Sequence, residues 1–170
     1  MELVKTKLDG VYIVEPKVYG DNRGWFMETY SEKAFKDAGI DVTFVQDNHS
    51  YSAQKGVLRG LHFQLNPMSQ AKLLRVLRGT LLDVVVDIRK GSPTYGQWIS
   101  VELSADNKKE IFMPRGMAHG FVTLTDDVEV HYKVDNLYAP KLESGIIYND
   151  PDLKVDWGTD KVILSAKDTV

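Results

Sequence analysis

The chain contains no cysteine, which excludes disulfides, thiol nucleophiles and zinc–thiolate sites together. It has no excess of basic charge either. Against 21 Lys and Arg stand 24 Asp and Glu, a formal net charge of −3, without the basic stripe or patch that a nucleic-acid surface needs. No apolar run approaches the ~18–20 residues that span a bilayer. The opening residues, MELVKTKLDG, lack the apolar centre of a secretory signal. These absences predict a soluble, cytoplasmic protein that binds neither nucleic acid nor membrane. With 170 residues, 43% apolar and 26% charged, the expectation is one domain, residues 1–170, long enough to bury a substantial core. No internal repeat, low-complexity tract or linker divides it.

A further absence is local. The stretch Gly56–Lys72, GVLRGLHFQLNPMSQAK, has a Gly, five residues and then His62. That opening resembles a cupin metal site, which then needs a second His two residues on and a Glu shortly after. Gln64 stands in the first place, and no carboxylate occurs between Phe63 and Leu82. Downstream, Pro114, Gly116 and His119 keep a Pro-x-Gly-x-x-His pattern within MPRGMAHG. The scaffold pattern persists without most of its ligand set. The reading is acid–base chemistry on a charged organic ligand, with no metal.

What is present is period-two alternation. Val11–Val14, Phe26–Tyr30, Val42–Gln46, Leu61–Leu65, Leu73–Leu77, Leu81–Ile88, Trp98–Leu103, Ile111–Met113, Gly120–Leu124 and Val128–Val134 read as short strands. Gly, Asn and Asp clusters supply the turns between them. About ten strands at this spacing predict an all-β, antiparallel double-sheet jelly roll. One helix interrupts them, Glu32–Ala38, capped by Ser31 and ended by Gly39. The tail, residues 150–170, is less periodic and is expected to pack over the barrel as short helical or irregular structure.

Alternation aims some side chains. Tyr132 shares a face with Val128, Val130 and Val134, whereas His131 lies among charges and reads as solvated. Lys72 shares a face with Leu74 and Val76, and so enters inward. His62 and Gln64 share a face, with Arg59 on the opposite one; a bulge, or a site built across two chains, would reconcile them. His49 and His119 divide between site and structure. Asp83 and Asp87 flank Val85 on one face and read as a salt-bridged or turn-supporting pair. An inward Tyr is ordinarily core filling, but an inward ammonium is costly to bury without purpose. Together an inward Lys, an inward Tyr and a pocket His suit removal of a proton next to a carbonyl. His serves as base near neutrality, Lys as the charge that stabilises an enolate oxyanion, and Tyr as the group that returns a proton once its environment helps it ionise. Base and acid on opposite faces of a planar enolate invert the carbon without a cofactor.

The phrases DNRGWFMETY (Asp21–Tyr30), RGLHFQ (Arg59–Gln64), QAKLLRVLRGTLLDVVVDIRKGSPTYGQW (Gln70–Trp98), PRGMAHGF (Pro114–Phe121), YNDPDL (Tyr148–Leu153) and LSAKD (Leu164–Asp168) resemble the dTDP-4-dehydrorhamnose 3,5-epimerase family over nearly the whole chain. The resemblance implies a metal-free cupin jelly roll with a few short helices. It would act without cofactor as a homodimer that exchanges an N-terminal strand. The substrate would be dTDP-4-keto-6-deoxy-D-glucose and the product dTDP-4-keto-L-rhamnose. By the same resemblance, His62 is the base, Asp168 orients it, Tyr132 is the acid and Lys72 holds the C4 oxygen. Arg23 and Arg59 match diphosphate contacts. Phe26 and Glu28 match residues lent by the partner subunit, and Tyr138 matches the platform for thymine. Gln46, Asp47, Asn48, His119, Glu143 and Lys167 complete the implied pocket. The one departure noted is Gly158 after Trp157, where the family often has Pro. Relatives on this scaffold invert only one carbon or act on other nucleotide-linked keto sugars, so a mono-epimerase is the nearest alternative. A metal-dependent cupin using His62, His119 and an unusual third ligand, and a non-catalytic sugar-nucleotide binder, are the more distant ones.

Overall fold

Two antiparallel sheets face one another, and the side chains that alternate inward from each form the core between them. The computed structural model describes residues 1–170. One sheet has six strands in the order β1 (Glu2–Lys5), β2 (Tyr12–Glu15), β10 (Glu110–Met113), β7 (Lys72–Arg78), β12 (Val128–Val134) and β5 (Gln46–Ser52). The other has five, in the order β13 (Glu143–Gly145), β6 (Leu58–Gln64), β11 (Met117–Thr123), β8 (Thr80–Asp87) and β9 (Trp98–Ser104). A separate hairpin pairs β3 (Val18–Asp21) with β4 (Gly24–Met27). The crossing connections between the sheets are those of a jelly roll.

Between the sheets lie Leu74, Val76, Ile111, Val128 and Val130 from the first and Leu81, Val85, Leu103, Met117 and Phe121 from the second. Fully burying a side chain of this size contributes roughly 1.5–3 kcal/mol. The outer faces are covered as well. Helix α1 (Glu32–Asp37) lays Phe35 over Leu73 and Phe112 of the six-stranded sheet. The C-terminal tail lays Trp157 over Val84, Ala118 and Val122 of the five-stranded one. Ser31 caps α1 by accepting the Ala34 N–H at 3.2 Å, and Gly39 takes φ +83° just past its end.

Several expectations shift. The predicted strand Val42–Gln46 is irregular chain: Val42 and Phe44 pack beneath α1, and pairing begins only at Gln46. The strand expected at Phe26–Tyr30 is the shorter β4, paired only within its hairpin. Strands β1, β3, β5 and β13 were not anticipated over most of their lengths. The helix stops one residue early because Ala38 serves as its C-cap.

One irregularity positions the site. Between β6 and β11, His119 pairs with His62 and Phe121 with Arg59. Two steps along β11 therefore correspond to three along β6, so β6 carries a bulge. The bulge falls at Gly60, whose φ is +129° and where an added Cβ would lie 2.5 Å from Gly120 Cα. Two glycines meeting there let the backbones approach, and the extra residue turns Arg59 to the same side as His62.

Candidate active site

The open end of the barrel holds a cleft of about 890 Å³. One wall is the five-stranded sheet, which supplies Arg59, His62 and Gln64 from β6 and His119 and Phe121 from β11. The facing wall supplies Gln46, Asn48 and Ser50 from β5, Lys72 and Leu74 from β7, and Tyr132 from β12. The rim carries Tyr138, Glu143, Lys167 and Asp168.

His62 Nε2 lies 2.5 Å from Asp168 Oδ1. The carboxylate arrives from a short 3-10 turn, Ala166–Thr169, in the C-terminal tail, and is itself buried. Burial lowers the His62 pKa from its ordinary value, although Asp168 acts in the opposite direction. Burial thus favours the neutral ring, the form that can accept a proton, and Asp168 is placed to stabilise an imidazolium.

Lys72 faces His62 from the other sheet. It has no carboxylate partner within ion-pairing distance, and its Nζ lies 5.9 Å from the Tyr132 ring centroid. Burial pulls its ammonium down to about 8, against the opposing pull of the Asp83 and Glu143 charges. At neutral pH it remains mostly a cation, poorly solvated and without a fixed counter-ion, which is the state suited to a developing oxyanion. Burial raises the Tyr132 phenol above its ordinary value, with Asn48 and Arg59 opposing. Its surroundings therefore keep the phenol protonated rather than helping it ionise, contrary to the expectation from sequence, and that favours a proton donor.

A second histidine–carboxylate pair lies beside the first. His119 Nε2 is 2.7 Å from Asp83 Oδ2, and both residues are buried. Asp83 Oδ1 has no hydrogen-bond partner. Sequence reasoning had coupled Asp83 with Asp87 on one face. They do share the inward face but have separate tasks: Asp87 binds Arg89, Ser92 and Thr94 and organises the turn after β8. Although burial opposes it, that network holds the Asp87 carboxyl well below the usual range.

The rim is polar and linked. Arg59 donates to Ser52 Oγ and to the Tyr51 carbonyl, each at 3.2 Å. Tyr138 donates its phenol to Glu143 at 2.9 Å, and Lys167 reaches the same carboxylate at 2.9 Å. Gln46 accepts the Tyr138 N–H at 3.2 Å and donates to Asn48 at 2.8 Å.

Not every candidate faces the cleft. Asp47 alternates to the outer side of β5, where it binds Lys133 at 3.1 Å and lies 3.5 Å from His131. His49 also points outward, to Glu129 at 3.2 Å. Arg23, Phe26 and Glu28 lie exposed on or just after the β3–β4 hairpin; none lines the cleft, and Arg23 pairs with Asp21 of its own turn. Conversely, Asp83, Ser50, Phe121 and the bonding of Gln64 went unrecognised in sequence. The inward series Asp83–Val85–Asp87 was the available signal for Asp83, but its partner on β11 depends on the sheet register. No three His, Asp or Glu side chains converge in an arrangement that could hold a metal ion.

A histidine–carboxylate pair facing a lysine and a tyrosine inside a cupin jelly roll is the constellation of an acid–base isomerase. The family model described as dTDP-4-dehydrorhamnose 3,5-epimerase matches residues 5–170, and the chain belongs to that family of epimerases. It is 52% identical over 168 residues to the dTDP-4-dehydrorhamnose 3,5-epimerase of Methanothermobacter thermautotrophicus, covering 97% of this chain and 90% of the relative. The crystal structure of the Bacillus anthracis enzyme of that name, with TDP and PPi bound, superposes with a TM-score of 0.97 at 45% identity, covering 99% of this chain and 97% of the other. The dTDP-6-deoxy-D-glucose-3,5-epimerase of Legionella pneumophila, in complex with dTDP-4-keto-L-rhamnose, superposes with a TM-score of 0.93 at 48% identity, covering 98% and 89%.

Proposed function

We propose that the chain converts dTDP-4-dehydro-6-deoxy-D-glucose to dTDP-4-dehydro-L-rhamnose, inverting C3 and C5, as a step of dTDP-L-rhamnose biosynthesis. The observation that carries this reading is the placement of base and acid on opposite walls: His62 on β6, with Lys72 and Tyr132 on β7 and β12 across the cleft. His62 takes the proton α to the C4 ketone, and Asp168 stabilises the resulting imidazolium. The Lys72 ammonium compensates the enolate oxygen. Tyr132 delivers a proton from the other face, so the carbon inverts. Both carbons are α to the same ketone, and one apparatus serves both.

Arg59 and Lys167 suit the diphosphate, since guanidinium and ammonium groups pair well with phosphate oxygens. Tyr138 offers its exposed ring to thymine, and Gln46, Asn48, His119 and Glu143 offer polar contacts within the cleft. The β3–β4 hairpin supports a homodimeric reading. Trp25 is 57% and Phe26 70% exposed, which is unusual for large aromatics on a short unsupported hairpin. In this proposal the hairpin of each copy, with Arg23, Phe26 and Glu28, reaches the cleft of the other. A nucleotide-activated sugar is an intracellular substrate, which supports a cytoplasmic setting.

Incubating the purified protein with dTDP-4-keto-6-deoxyglucose in D2O, with NMR detection of the C3 and C5 protons, tests the proposal. Loss of both signals is the expected result. Loss of one would make the chain a mono-epimerase with the same mechanism. No loss at either carbon would overturn the catalytic reading.

A further inference from the structure

Gln64 stands where a metal-binding cupin would present a ligand, yet none of its polar atoms is spare. It is 7% exposed. Its Oε1 accepts the Ala139 N–H at 2.8 Å, and its Nε2 donates to the Met68 carbonyl at 2.6 Å and the Leu137 carbonyl at 3.2 Å. The partners define the amide orientation, because an N–H must meet the oxygen and two carbonyls must meet the nitrogen. They belong to two loops, residues 65–71 before β7 and residues 135–142 after β12.

Leu137 and Ala139 flank Tyr138. The backbone on both sides of that tyrosine is therefore held by one buried side chain, while its own N–H is held by Gln46. The ring meanwhile remains 54% exposed at the rim. A loop-borne aromatic that must be ordered on binding costs affinity, and fixing it beforehand removes that cost.

We propose that Gln64 is a positioning residue for nucleotide recognition: its three hydrogen bonds tie the two loops together and hold Tyr138 as a preformed stacking platform for the base. This inference rests on the nucleotide-sugar reading above. The position vacated by a metal ligand thereby governs the far end of the substrate rather than the reacting carbons.

The test is Gln64→Leu, similar in bulk and unable to make any of the three bonds, read in the wild-type and Tyr138→Ala backgrounds. The expected result is a KM for the dTDP-sugar raised roughly 5- to 150-fold, the range for losing a base–aromatic stack. kcat and the affinity for inorganic diphosphate stay within about twofold, because neither depends on the base. In the Tyr138→Ala background the same substitution should add almost nothing, since its route has been removed. Gln64→Asn keeps a neutral amide but shortens its reach, so it should show a smaller change of the same kind even if the leucine variant folds poorly. Fully additive effects of Gln64 and Tyr138, a fall in kcat at constant KM, or an equal loss of diphosphate affinity would each overturn the inference. A wild-type protein that bound neither dTDP nor diphosphate would instead overturn the nucleotide-sugar reading, and this inference with it.

Discussion

His62 and His119 lie directly opposite one another on neighbouring strands, and each binds an aspartate. The pairs are alike in composition and unlike in access. The His62 side chain is 27% exposed, whereas that of His119 is 8% exposed. Asp168 reaches His62 from the C-terminal tail and has both oxygens within hydrogen-bonding distance, the second toward the Gly60 N–H at 3.5 Å. Asp83 reaches His119 from within the same sheet and leaves Oδ1 unmet, its charge bearing on Lys72. The first pair can exchange a proton with a ligand. The second is more deeply buried and turns only the edge of His119 to the cleft, and residue identity alone would not have separated them.

The most severe way to break this comparison is to remove each imidazole in turn. His62→Ala is expected to lower kcat/KM by about 10²–10⁴-fold, the usual worth of a general base, and to abolish C3 and C5 proton exchange with dTDP affinity largely kept. His119→Ala should leave exchange measurable; equal loss in both variants, followed by NMR in D2O, would erase the distinction.

The pH profile of kcat/KM sharpens it further. In the proposed mechanism, activity requires neutral His62 and cationic Lys72. The acid limb should therefore lie below the ordinary histidine value, and the alkaline limb near 8, where Lys72 loses its proton. Asp83 favours the charged lysine, so Asp83→Asn should move the alkaline limb to lower pH and cut kcat/KM at pH 8, by about fivefold for a limb moved one pH unit. An alkaline limb that stayed in place would detach Asp83 from Lys72.

A last contrast, in stability and not in activity, comes from a buried carboxylate with no histidine at all. Glu110, between β2 and β7, is 1% exposed with Oε2 unpaired, and burial raises its pKa to about 8 despite Arg75 and Lys133. Its folded-state pKa exceeds the unfolded one, so its contribution to stability is complete below about 4.5 and is lost as pH rises toward 8. Glu110→Gln should flatten that pH dependence and raise stability at pH 7 by up to about 3 kcal/mol, as read by denaturant unfolding across the window.

Most of the barrel was legible because half-buried strands announce themselves by alternation; Val128–Val134 carries the pattern without interruption. Strand β5, QDNHSYS, was not, because its inward residues Gln46, Asn48 and Ser50 line a polar cleft instead of a core. Among site residues, Lys72 and Tyr132 could be aimed from their own strands. Arg59 could not, since the bulge at Gly60 breaks the count between it and His62. The alliances of His62 with Asp168 and of His119 with Asp83 span 106 and 36 residues of chain. No local pattern encodes such distances; the family resemblance supplied the first, and the second needed the fold.

The crossing of Gly60 over Gly120 also sets where this scaffold can drift. A methyl group at Gly60 would need space already held by the Gly120 backbone, and one at Gly120 would sit 2.7 Å from the Arg59 carbonyl. Either substitution wedges β6 from β11 and parts His62 from His119 while altering neither. Variation that retunes the substrate is thus channelled into β5 and the rim. Libraries built there can change what the barrel accepts and leave its chemistry in register.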